Sequence, residues 1–232
     1  MYKIHDRDLR GRTKTGWLDS FHTFSFGNFR DPNRIRFRAL RVINDDIVIP
    51  GAGFDMHAHD NMEIITYVMR GALAHKDSLG NGATIRPMEI QRMSAGSGIE
   101  HAEFNASQDE DVHLLQIWIM PSERNTEPGY EQKAIDPDKV RGRFHLIGDQ
   151  YGTDGAVTIK QDVKLYLAQI DDGQNVSHDF APGRGGFVQV TRGRVTLDGE
   201  VLKEGDGLEI TGVERVTFTA QADSELMLFD LK

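Results

Sequence analysis

Residues 53–64 read GFDMHAHDNMEI, and residues 93–105 read MSAGSGIEHAEFN. The first stretch sets His57 and His59 two residues apart, with Glu63 four residues further on. The second sets His101 and Glu103 two apart. In a β-strand, residues i and i+2 point to the same face. His57 and His59 would therefore aim two imidazoles to one side, and His101 and Glu103 one imidazole and one carboxylate. Two such strands lying side by side would present three nitrogens and one oxygen. That donor set suits iron, nickel, copper, manganese or zinc. Four protein ligands on an octahedral ion leave two positions open, which points to catalysis or ligand exchange. A structural zinc site is more often closed and tetrahedral. Gly96 and Gly98 give the backbone the freedom to turn tightly just before His101.

The donors need strands to carry them. Short apolar runs with period-two character recur along the chain: RALRVIND, MEIITYVM, EIQRMSA, VHLLQIWIM, DVKLYLAQI, GFVQVTRGRVTLDG, VERVTFTA and ELMLFDL. Turn signals such as DSLGNG, IDDGQN, LDGE and EGDG separate them. Helical periodicity is scarce, and the best short helix lies near residues 135–140, where DPDK opens a turn. The pattern predicts an all-β chain of barrels or sandwiches. Residues 121–138 are polar and rich in proline and glutamate, and read as a link between two halves.

The halves look related. YVMRGALAHKDSLGN (67–81) and QVTRGRVTLDGE (189–200) share a strand, a V-x-R-G step, a second strand and a turn. With Gly71 set on Gly193, His57 falls on Asp179, His59 on Ala181 and Glu63 on Gly185. The second half keeps the strand pattern and lacks the donors. We expect a first domain over residues 1–125 that holds the metal and a second over 126–232 that does not.

Composition narrows the chemistry. The 232 residues contain no cysteine, so disulfides, thiolate metal sites and thiol nucleophiles are excluded. The formal net charge of −9 argues against direct binding to nucleic acid or to an anionic membrane. The first residues lack the apolar core of a signal peptide, and no apolar run is long enough to span a bilayer. The expectation is a cytoplasmic protein. No Gly-rich phosphate loop and no Gly-x-Ser-x-Gly elbow occurs.

Taken with their spacing, these motifs resemble a known family. The run G-x5-H-x-H-x3-E from Gly51 to Glu63 resembles the first cupin motif, and Gly71 closes it one residue late. The run from Gly96 to Asn105 resembles the second motif, with Gly96 where cupins usually carry proline. HTFSFGNFRDPN, LRVINDD, EIITYVMRG and MSAGSGIEHAEFN are similar to segments of pirin-family bicupins. The resemblance covers most of the first half closely and the second half mainly in layout. It implies two cupin-type (jelly-roll) β-barrels in one chain. It also implies one divalent transition metal in the first, commonly Fe(II), on His57, His59, His101 and Glu103. Nickel, manganese, copper and zinc fit the same donors. In many cupins the Glu63 position is a ligand. In pirins that role passes to the glutamate after the third histidine, here Glu103, leaving Glu63 to orient a ligand or to pair with an arginine.

The resemblance further implies a dioxygenase that cleaves quercetin-like flavonols and releases carbon monoxide. Its substrates would be a small aromatic molecule and dioxygen, with Glu103 as the catalytic proton acceptor. The rival expectation is a pirin-like metal- or redox-sensing regulator that binds a protein partner. Three further expectations concern the remaining motifs. SFHTFSFGNF reads first as a strand packing its phenylalanines, with His22 a polar neighbour, and alternatively as a segment partly near the pocket mouth. RIRFRALR reads as an edge strand with Arg34, Arg36 and Arg38 on its solvated face. Met56 and Met93 read as core, and His5, His75, His113, His145 and His178 as structural.

Overall fold

A computed structural model describes all residues from Met1 to Lys232. The chain is almost entirely β, as its period-two runs require. Every apolar run named above becomes a strand, including Leu40–Val48, Glu63–Arg70, Val112–Ile119, Val163–Ile170 and Ser224–Leu231. The one α-helix is Pro137–Val140. Asp136 caps it, its side chain accepting from the Asp138 amide, and Pro137 opens it with φ already set.

Two compact units form. One contains residues 11–135 and 157–161, the other residues 1–10, 136–156 and 162–232. The expected division between residues 125 and 126 therefore moves. The segment read as a link contains the strand Gly129–Ala134, which pairs antiparallel with Glu89–Ser94 and so belongs to the first unit. Tyr2–His5 pairs with Gly207–Ile210, which carries the N-terminus into the second unit.

In the first unit, a seven-stranded antiparallel sheet runs Gly129–Ala134, Glu89–Ser94, Glu63–Arg70, Val112–Ile119, Leu40–Val48, Leu18–His22, Gly11–Lys14. A four-stranded sheet runs Gly53–His59, Ile99–Asn105, Leu73–Asp77, Gly82–Ile85. Leu18, Val48, Val68, Val112 and Leu114 of the larger sheet meet Leu73 and Ile85 of the smaller in one buried cluster. Glu63–Arg70 and Val112–Ile119 lie centrally and are buried nearly throughout, which is why they read as continuous apolar runs.

The second unit repeats the plan. Gly71 and Gly193 each follow an eight-residue strand, with φ +79° and +82°. A Cβ on either would crowd the carbonyl of an equivalent residue, Asp111 or Asp223. The backbone thus supports the internal repeat. The Asp179 side chain faces solvent and pairs with Arg215 at 2.9 Å. The adjacent His178 instead bonds the buried Asp230 at 3.0 Å, and Arg184 also donates to Asp230. Polar groups at this place are closed on one another.

Two expectations are corrected. Arg34, Arg36 and Arg38 lie on irregular chain whose only pairing is the Phe37–Leu40 bridge. Arg34 is buried, and Arg38 takes a left-handed φ of 51°, which breaks any strand. Met93 is core, but Met56 is 50% exposed.

The Asp230 cluster generates a pH prediction. Burial alone would raise the Asp230 carboxyl, but the bonds from His178 and Arg184 outweigh it and hold it below 3.8. A depressed carboxyl stabilises the fold above its unfolded pKa, and that stabilisation is lost as pH falls through the folded value. Asp230→Asn is expected to lower stability at pH 7 by about 3 kcal/mol, the scale for breaking a buried ion pair. The difference from the parent protein should narrow as pH drops below 3.8, measured by urea unfolding across that range.

Candidate metal centre

Antiparallel pairing of Gly53–His59 with Ile99–Asn105 sets His101 directly opposite His57 and Ile99 opposite His59. Because i and i+2 share a face, the three imidazoles converge, with ring centroids 4.5–5.0 Å apart. Their donor nitrogens lie within 4.8 Å of one another. The Asp55 carbonyl lies 2.7 Å from His57 Nδ1. Accepting from Nδ1–H, it fixes the tautomer that leaves Nε2 free as a donor.

His101 is 1% exposed, and neither of its ring nitrogens has a hydrogen-bond partner. Burial, reinforced by the His57, His59 and His75 rings, pushes its pKa down to about 3. Burial and His57 push His59 down to about 4. At neutral pH both rings are uncharged, the form that ligates a metal. A buried imidazole without partners is costly, and a cation bound by one of its nitrogens would satisfy its lone pair. The donor set therefore fits a transition metal.

Glu103 points to the same interior but is held differently. The pairing shifts between His101 and Glu103, so Glu103 stands opposite Phe54 rather than Asp55. The carboxylate reaches the large sheet, where Thr66 Oγ1 donates to it at 3.2 Å and Gln116 Nε2 at 2.8 Å. It belongs to a second convergent set, with His101 and His75. His101 is common to both sets. Burial pushes the Glu103 carboxyl up to about 7 against those two bonds.

Glu63, the other candidate carboxylate, lies in neither set. It starts the strand Glu63–Arg70 in the other sheet, accepting from Ser94 Oγ at 2.8 Å and the Lys160 amide at 3.2 Å. His75, expected to be merely structural, sits across from Glu103 in register, stacks on Tyr130 and bonds Asp77. No spacing in the sequence marks it, because only strand pairing brings it to His101.

A cavity of about 250 Å³ opens onto the three histidines and Glu103. Phe26, Phe54 and Trp118 form its apolar walls, and Trp118 meets His59 edge-on at 5.1 Å. Part of the lining is polar: His22, Asn44 and Gln116 face the cavity. They belong to a row of cross-strand partners, His22, Asn44, Gln116, Thr66 and Gln91, over five strands, and all five are buried. His22 Nδ1 bonds Asn44 at 2.8 Å and Nε2 bonds Thr13 at 2.9 Å. The aromatic segment around His22 is thus cavity wall rather than plain packing. Sequence reading missed the row because each strand contributes a single member.

The Pirin family profile matches residues 4–119, and the profile described as quercetinase C-terminal cupin domain matches residues 146–231. The chain belongs to the pirin family. A relative from Escherichia coli K12 named quercetin 2,3-dioxygenase is 46% identical over 232 residues, covering 100% of this chain and 99% of that one. A pirin-like protein of Caulobacter vibrioides is 37% identical, with 96% of each chain covered. The crystal structure of the bacterial pirin YhhW from E. coli in complex with nickel(II) superposes with a TM-score of 0.95 at 43% identity, covering 100% of this chain and 99% of that one. The pirin chain is accordingly two cupin domains, as the sequence motifs implied. No helix is long and apolar enough to cross a membrane.

The close approach of the two ligand-bearing strands depends on Gly53. A Cβ there would overlap the Glu103 carbonyl and sit 2.5 Å from Phe104 Cα. Gly53→Ala is expected to push the strands apart and cost about 1–3 kcal/mol, the range for overpacking. Calorimetric melting checks the stability. Titration with nickel should also show weaker binding than the parent protein gives.

Proposed function

We propose that this pirin is a mononuclear metal-dependent dioxygenase that cleaves quercetin-like flavonols. The observation that carries the reading is His101, buried with two unpartnered nitrogens where the His57 and His59 rings converge at an aromatic-walled cavity. The near full-length likeness to a protein named quercetin 2,3-dioxygenase supplies the substrate class. His57, His59, His101 and Glu103 are the assigned ligands, and Fe(II) is the assigned metal, with nickel the alternative that the YhhW complex suggests. Bound there, such a metal stabilises a developing oxyanion and lowers the pKa of a hydroxyl beside it.

The chain's own groups do the rest. The apolar walls hold a planar ring system between Phe26, Phe54 and Trp118 and keep water away. Glu103, which lines the cavity beside the histidines, is placed to take the proton of the reacting 3-hydroxyl. Thr66 and Gln116 donate to its two oxygens and keep it aimed. The overall change consumes one flavonol and one dioxygen. It opens the central ring, expels C3 with the oxygen it already carries as carbon monoxide, and leaves both atoms of dioxygen in the depside.

The test is carbon monoxide release and oxygen uptake with quercetin, using protein stripped and reloaded separately with iron, nickel, manganese, copper or zinc. One metal is expected to support turnover with equal amounts of gas consumed and released. His101→Ala should abolish both turnover and stoichiometric metal binding. Glu103→Gln should cut turnover by about 10²–10⁴, the usual reach of general-base catalysis. Tight metal binding without turnover on any metal would refute the reading.

A further inference from the structure

Within the cavity, one carboxyl has no part in the metal set. Asp46 lines the cavity on the strand Leu40–Val48, two residues from Asn44 and on the same face. It stands opposite Ser20 and Leu114 in register. It is 3% exposed, and its Oδ1 has no hydrogen-bond partner. Two other lining residues share this condition: Gln116 through Oε1 and Trp118 through Nε1. Each of these buried atoms costs stability unless something satisfies it. A well-packed protein that only needed a floor for a greasy ligand would carry leucine at all three places. The unpaired set comprises two acceptors and one donor. Phenolic hydroxyl groups, which both donate and accept, are the ligand chemistry that satisfies all three.

We propose that Asp46 determines specificity by binding a phenolic hydroxyl of the substrate away from the reacting centre, so that the cavity selects polyhydroxylated flavonols over bare ones. The assignment rests on the dioxygenase reading for the ligand class. Burial pushes the Asp46 carboxyl up to about 7 against its bond from Ser20, with Asp45 and Glu103 adding to the rise. Protonated or ionised, it keeps an oxygen able to accept from a phenol. A site built around such a bond rejects an analogue that lacks the hydroxyl, because the buried group is then stranded.

The experiment is calorimetric titration of nickel-loaded protein under argon, where no dioxygen is present to drive turnover. Quercetin is compared with 3-hydroxyflavone, which keeps the reacting hydroxyl and lacks the others. The parent protein is expected to bind quercetin at least ~10-fold more tightly, the worth of one well-made hydrogen bond to an ionisable group. Asp46→Leu should remove that preference by weakening quercetin alone. Asp46→Asn, which keeps a side-chain carbonyl, should restore most of it. Melting curves of both variants confirm folding, and Asp46→Asn carries the comparison if the leucine variant is unfolded, then by a smaller loss on quercetin only. Equal affinity of the parent protein for both flavonols, or an equal loss on both in the variants, would overturn the assignment. Selective binding without carbon monoxide release in air would uphold Asp46 and remove the dioxygenase reading instead.

Discussion

Neutral imidazoles buried together inside a β-barrel are unfavourable unless something binds them, and the first cupin is arranged around that constraint. His101 is the extreme case. It sits at the crossing of two donor sets, its ring enclosed by His57, His59 and His75. Desolvation and the neighbouring rings keep it uncharged far below neutral pH. The same environment that removes its proton leaves its lone pair available. A cation is the partner the surroundings lack, and the strand register opposite His57 fixes where it must sit.

Around that point the barrel departs from the ordinary alternation of apolar-in and polar-out. Its large sheet carries a buried polar row across five strands, tied by bonds such as Asn44 to His22 and Gln116 to Glu103. Such a row is tolerable only where its members find partners. The bonds its members do make also aim them. Gln116 and Thr66 donate to the two carboxylate oxygens of Glu103 from the large sheet and hold both. The carboxylate is thus positioned by the opposite sheet, while the imidazoles are positioned by their own.

Much of this was legible in the sequence because strands advertise their faces. His57 with His59 and His101 with Glu103 carry the i, i+2 spacing that puts side chains on one side, and the structure brings the three imidazoles together as that spacing demands. The runs that become central strands were equally plain. What stayed hidden depends on partners far away in the chain. His75 is an unremarked residue until Leu73–Asp77 pairs with Ile99–Asn105. Asn44 looks like a polar interruption in an apolar run until His22 and Gln116 flank it, and Asp46 looks the same until Ser20 stands opposite. Glu63 follows the first histidines closely in sequence, yet the turn at Asn61, with φ 49°, sends it into the other sheet. The link between halves failed for a related reason. Polar composition suggested a loop, but Gly129–Ala134 adds to a sheet edge where half-exposed polar residues are at home.

The second cupin shows what the first would be without its constraint. Its strands and glycine turns follow the same plan, and its corresponding strand ends in His178 and Asp179. There the histidine has a permanent acid, Asp230, and that acid has an arginine. Histidine and arginine both bond the same buried carboxylate inside the protein. The unpartnered nitrogens of His101 therefore do not follow from the fold, because the same fold elsewhere in the chain closes them off. They mark the one barrel in which an open donor set was kept, next to a cavity whose other unpaired atoms face the same requirement.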